Sequence, residues 1–281
     1  MKIFIIAIFL SLSFQVLKAQ DSNAANQNIP FVLGRINTIQ STILSEKRVL
    51  NIYLPQGYDQ NVSTVYPVIY LLDGSADEDF IHIAGLVQFL NFSWVNILPK
   101  SILVGIANVD RKRDFTFPTT IARDKKESPT SGGSAKFIDF IEKELQPFIE
   151  KNYKTNSSKT LIGQSLGGLL ATQILLSKPQ LFTKYIIVSP SLWWNNESLL
   201  SHGFLPKNNF NQKRSLFIAV GNEGEIMKND ATKLASILNK NKPNNLQVHF
   251  QYFPHENHGT ILHRAVYRAF EDFNKDNGSK K

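Results

Sequence analysis

The chain contains no cysteine. That absence excludes a disulfide framework, a thiolate nucleophile and a cysteine-ligated metal centre, so any covalent chemistry falls to other side chains. The 281 residues also hold no linker-like stretch, no internal repeat and no low-complexity segment. One domain over residues 31–275 is therefore expected, after a loose start at 20–30 and before a polar tail at 276–281. The formal charge is +8, yet Lys125, Lys126, Lys151, Lys154, Lys240 and Lys242 are scattered and lack interleaved aromatics. They read as solvated faces, and nucleic acid is excluded as a partner. No group of His, Asp and Glu has metal-ligand spacing, and the expected chemistry needs neither metal nor cofactor. A membrane-spanning run is missing too. The apolar stretch Ile3 to Leu17 is about 15 residues long, short of the roughly 20 that a spanning helix needs. Between Met1-Lys2 and Lys18-Ala19-Gln20 it reads as a secretory signal peptide, residues 1–19, cut after Ala19. Export without disulfides suits a periplasmic or secreted protein with no membrane span after cleavage.

What the chain does have is a series of buried-strand patterns. Val68 to Leu72, Ile102 to Ile106, Tyr185 to Val188 and Leu216 to Val220 are continuous apolar runs, the mark of parallel strands covered on both faces. Val49 to Leu54 alternates in part and stops at Pro55-Gln56-Gly57, as an early antiparallel strand would. Helices are expected near Phe80 to Leu90, Gly133 to Tyr153, Leu166 to Ser177, Ala231 to Leu238 and Ile261 to Phe273, with Pro147 bending or dividing the second. Strands alternating with helices give an α/β fold, a mostly parallel central sheet with helices on both faces.

Between the apolar run Thr160-Leu161-Ile162 and the helical run from Leu169 stands Gly163-Gln164-Ser165-Leu166-Gly167. This G-x-S-x-G in a strand-to-helix context is a nucleophile elbow, and Ser165 is the expected nucleophile. The partners should follow in the order acid, then histidine, on loops leaving strand ends. His82 and His202 come too early, His249 lies within the last strand (Leu246 to Phe253) and His263 in the last helix. His258, followed by Gly259-Thr260, is the expected base, with His255 beside it. The acid should leave strand Leu216 to Val220 within Gly221-Asn222-Glu223-Gly224-Glu225. Glu225 is the first choice and Glu223 the alternative; Asp230 comes third and reads also as a helix N-cap. Two backbone N–H groups should form the oxyanion hole: Leu166 from the elbow, and Ser75 or Gly74 from the turn Asp73-Gly74-Ser75.

Arg111 and Arg113 leave a central strand and can meet an anionic or aromatic acyl group, or fix the loop by an ion pair with Asp114. Trp193 and Trp194 follow another strand and can line an aromatic acyl pocket, or fill the core.

Together with Tyr70 to Gly74, Val104 to Arg111, Arg113 to Thr116, Ile162 to Leu169 and Ser189 to Trp194, these residues carry a resemblance. From Val32 to Phe273 the chain resembles the putative-esterase family of α/β-hydrolases, a group with siderophore trilactone esterases, feruloyl and acetyl-xylan esterases and S-formylglutathione hydrolases. It is most similar to the siderophore-esterase branch. The resemblance implies an α/β-hydrolase fold with Ser165 as nucleophile and His258 as base, the acid staying open between Glu225 and Glu223. The expected protein is an exported serine esterase acting through an acyl-enzyme on a siderophore trilactone or a small-molecule or glycan-linked ester. Acyl transfer with the same triad, separable by products formed with an added acceptor alcohol, is the second reading. A non-catalytic binding protein, which no fluorophosphonate would label, is the third.

Overall fold

A computed structural model describes residues 28–201, 212–240 and 245–278. The signal-peptide reading of residues 1–19 lies outside them, and the elements below all belong to the unit Leu33–Lys281. β1 (Arg35–Ser41) and β2 (Glu46–Tyr53) pair as an antiparallel hairpin. Next come β3 (Tyr66–Leu71), α1 (Phe80–Leu90), β4 (Ile102–Ile106) and the short helices α2 (Arg111–Phe115) and α3 (Ala122–Glu127). Helices α4 (Ser134–Phe140) and α5 (Gln146–Asn152) lead to β5 (Thr155–Gln164) and α6 (Leu166–Ser177). β6 (Lys184–Val188), α7 (Trp194–Ser201), β7 (Arg214–Gly221), α8 (Glu225–Lys240), β8 (Leu246–Phe253) and α9 (Ile261–Gly278) complete the order. The expected tail at 276–281 thus begins inside α9.

Among the described residues these strands form one sheet in the order β1-β2-β4-β3-β5-β6-β7-β8. From β4 to β8 the neighbours are parallel, while β2 joins β4 antiparallel and carries β1 at the edge. The expected α/β class is what the chain adopts. Period-two alternation sorts the central side chains into two layers. Val68, Tyr70, Leu161, Ile187 and Ile218 pack with α4 to α6 and α8. Ile69, Leu71, Ile162, Ile186 and Phe217 pack with α1 and α9. Because both layers are buried, these strands read as unbroken apolar runs. Strand order reverses at β3, with β4 on one side and β5 on the other. Such a reversal opens a crevice at the carboxyl ends of the strands.

Pro147 interrupts its helix as expected, and the stretch reads as two α segments, α4 and α5. Between them the chain widens into a π turn over Ile141–Leu145 just ahead of the proline. The wider turn absorbs the hydrogen bond that proline cannot donate.

On the other face, α1 and α9 meet through two exposed histidines, His263 Nδ1 lying 2.8 Å from His82 Nε2 with the rings nearly perpendicular. Burial, and then the neighbouring His263, hold His82 below its usual 6.5. The unfolded chain therefore binds this proton more tightly, and the native state loses stability as pH falls below that value. The expected result is a Tm that drops between pH 7.5 and pH 5, with a shallower slope in His82→Gln. Identical slopes in the two proteins would remove His82 as the source.

Candidate active site

Backbone geometry sets the elbow serine apart. Ser165, between β5 and α6, has φ 58° and ψ −119°, a conformation that costs a non-glycine residue about 1–3 kcal/mol. Its surroundings enforce it. A Cβ on Gly163 would stand 2.4 Å from the Gly167 carbonyl oxygen, and one on Gly168 would stand 2.9 Å from Pro190 Cα, so the turn closes only with glycine at these positions. Ser165 N donates to Val188 O and Ser191 N donates to Ser165 O, both at 3.0 Å, which ties the elbow to the end of β6. Ser191 Oγ lies 3.3 Å from Ser165 Oγ.

The histidine loop follows β8. Asn222 N donates to Glu256 O at 2.7 Å, and the Asn257 side chain accepts from Gly259 N at 2.9 Å. Gln164, next to the elbow serine, donates its side-chain amide to the His258 carbonyl. His258 is thereby joined to both the β7 loop and the elbow. Its side chain is about half exposed, and Nδ1 meets Glu223 Oε2 at 2.6 Å.

The carboxylate against His258 is thus Glu223, and the preference for Glu225 is corrected. Glu225 is the first residue of α8 and exposed, and among the described residues it makes no hydrogen bond to His258. A carboxylate there suits the positive end of a helix. Asp230 is corrected as well: it lies inside α8, buried, and is not a cap. Burial and then nearby Glu197 push its carboxyl up to about 6. Glu223 shows the opposite shift. Burial acts to raise its pKa, but donation from His258, Ser189 and Gly221 outweighs this, and the group sits below the usual glutamate value. Ser189 Oγ and Gly221 N both donate to Oε1, at 2.5 and 2.9 Å.

The two oxyanion candidates from the β3 turn differ. Gly74 N already donates to Ile106 O at 3.0 Å, and its carbonyl accepts from Asn51 Nδ2 at 2.8 Å. With both backbone groups used, Gly74 is corrected as a donor. Ser75 N makes no hydrogen bond among the described residues, and Leu166 N, first in α6, has no acceptor within its helix. Asp73 holds this turn at φ 54°. Arg111 Nε and Nη2 donate to its two carboxylate oxygens at 2.6 and 2.9 Å, and Asn108 Nδ2 donates to Oδ1 at 2.8 Å. Arg111 therefore braces the turn, at the edge of the crevice.

Arg113 is corrected as a substrate contact. It donates to Glu46 at 2.6 and 3.0 Å and to Asp114 at 2.7 Å. The buried Arg48 binds the same two carboxylates, so the four groups form one structural network. The tryptophans divide. Trp194 is buried in the core and donates Nε1 to Phe117 O at 2.9 Å, so of the two it takes the core-filling place, while Trp193 is half-buried. Ser189 and Ser191 join the site without having been expected from the sequence. Their only signal is a place just past a central strand, at the level of the elbow.

The family model described as "Putative esterase" matches residues 41–269. The chain belongs to that family. Ferri-bacillibactin esterase BesA of Bacillus subtilis is 32% identical to this esterase over 246 residues, 80% of this chain and 84% of its own. Among solved structures, an IroE-like serine hydrolase from Shewanella oneidensis matches with a TM-score of 0.76 at 32% identity, covering 86% of this chain and 80% of that one. The BES protein from Bacillus cereus matches with a TM-score of 0.77 at 30% identity, over 87% and 97%. The fold is that of the α/β-hydrolase esterases, and the activity of the family is carboxylic ester hydrolysis. Among the described residues, no helix is long and apolar enough to cross a membrane.

Proposed function

We propose that this protein is an exported serine esterase that opens the ester linkages of a siderophore through an acyl-enzyme. His258 accepts the Ser165 hydroxyl proton as Oγ bonds to the ester carbonyl carbon. The N–H groups of Leu166 and Ser75 receive the oxyanion. The ester C–O bond then breaks, and His258 returns the proton to the departing alkoxide. Water repeats the sequence in the second half, releasing the acid and restoring Ser165. Glu223 keeps the imidazole in the tautomer with Nδ1–H and offsets the imidazolium charge.

The observation that carries this reading is the 2.6 Å contact between His258 and Glu223 on the loops of β8 and β7, with the His258 carbonyl accepting from Gln164 beside the strained Ser165 at the end of β5. The substrate class rests on the relatives, one of them a ferri-bacillibactin esterase, and export rests on the sequence of residues 1–19. A hydrolysis panel tests the substrate. It contains ferric and iron-free catecholate trilactones, feruloyl sugars, acetylated xylan and short p-nitrophenyl esters. The expected outcome is the highest kcat/KM on a trilactone. A higher value on the feruloyl or acetyl sugars would move the protein to a polysaccharide-side esterase.

A further inference from the structure

Ser189 follows β6 directly, in a conformation that its residue type does not favour. Its φ is 42°, it is fully buried, and its N–H donates to Ala219 O of β7 at 2.8 Å. Glycine would relieve the left-handed backbone and alanine would fill nearly the same volume, so neither sterics nor the fold calls for a hydroxyl here. The hydroxyl instead serves the carboxylate beside it, since Oγ donates to Glu223 Oε1 at 2.5 Å.

That bond answers a geometric problem. A glutamate reaches its partner through three side-chain torsions, so the position of Oε2 is poorly determined by the backbone that carries it. Two donors from different directions, Ser189 Oγ and Gly221 N, fix Oε1. With one oxygen fixed and the carboxyl group planar, Oε2 is left facing His258 Nδ1. The same donors keep the buried carboxylate ionised against desolvation. The hydroxyl comes from the segment just past β6 that also bonds the elbow, since Val188 O accepts from Ser165 N and Ser191 N donates to Ser165 O. The Ser189-Pro190-Ser191 turn is therefore bonded to both ends of the constellation.

We propose that Ser189 is a positioning residue for ester hydrolysis, acting through Glu223 to orient His258. The proposal rests on the reading of Ser165, His258 and Glu223 as the triad. Loss of a buried hydrogen bond to a charged group predicts a fall in kcat of about 10- to 100-fold, with KM little changed because Ser189 does not line the crevice surface.

The test is a double-mutant cycle on the full-length protein with p-nitrophenyl acetate. Ser189→Ala and Ser189→Gly are each made alone and in a Glu223→Gln background, with thermal unfolding recorded for all. Ser189→Gly relieves the left-handed strain and keeps the fold available should Ser189→Ala misfold. The expected result is a kcat loss for Ser189→Gly despite a Tm at or above wild type, and almost no further loss once Glu223 is glutamine. Equal losses in the two backgrounds, or a Ser189→Gly protein with wild-type kcat, overturn the proposal. Failure of the triad reading looks different: there Glu223→Gln alone leaves kcat at the wild-type level.

Discussion

Ser165→Ala is expected to lower kcat by roughly a million-fold, the scale on which removal of an activated serine nucleophile acts in serine hydrolases. The residual rate would reflect binding and the oxyanion donors alone. The variant should also lose all covalent labelling by a fluorophosphonate, while its fold persists. Ser165 contributes to the elbow mainly through its backbone, as donor to Val188 O and acceptor from Leu169 N and Ser191 N, and alanine retains those groups. Circular dichroism and Tm close to wild type would show that the loss is chemical. His258→Ala should slow labelling strongly without abolishing the reactive hydroxyl. Undiminished labelling of Ser165→Ala would place the nucleophile elsewhere in the chain.

The second large effect separates two carboxylates that are neighbours but one in sequence. Glu223→Gln is expected to lower kcat by about 10,000-fold, because an uncharged amide neither stabilises imidazolium nor holds the productive tautomer. Glu225→Gln should stay within about two-fold, the ordinary range for an exposed residue away from a buried feature. The structural basis is burial. The Glu223 side chain is 2% exposed and engages three donors, whereas Glu225 opens a helix in solvent. Assay of both variants on an activated ester decides the pair, and the reverse ranking would return the acid to Glu225.

Sequence alone favours Glu225 for a physical reason. Helical spacing is clear from Ala231 onward, where Ala231, Leu234, Ala235 and Leu238 turn inward, but four of the six residues from Glu225 to Asp230 are polar and Asn229-Asp230 looks like a loop ending in a cap. A helix starting near Ala231 leaves Glu225 free on a loop and makes Asp230 look like a cap. A helix starting at Glu225 removes both. The parallel strands are legible because two-sided burial leaves an unbroken apolar run, and the elbow because its pattern is contiguous, with Gly163 held against the Gly167 carbonyl four residues on. β1 is not legible: it lies at the sheet edge, mostly exposed, with too few apolar residues to alternate visibly. Arg113 and Gly74 show a different limit. The Asp114 pairing of Arg113 is local and legible, but its second partner, Glu46 of β2, and the acceptor of the Gly74 amide, Ile106 of β4, lie far away in sequence, and local pattern carries no information about such pairings.

The bonds around the end of β6 also bear on reorganisation energy. Ser165 is hung on Val188, Ser189 on Ala219, and Glu223 on Ser189, so the elbow serine and the buried carboxylate share one hydrogen-bonded frame. The dipoles that must face the developing charge are then already aligned before a substrate arrives, and the barrier need not include the work of assembling them.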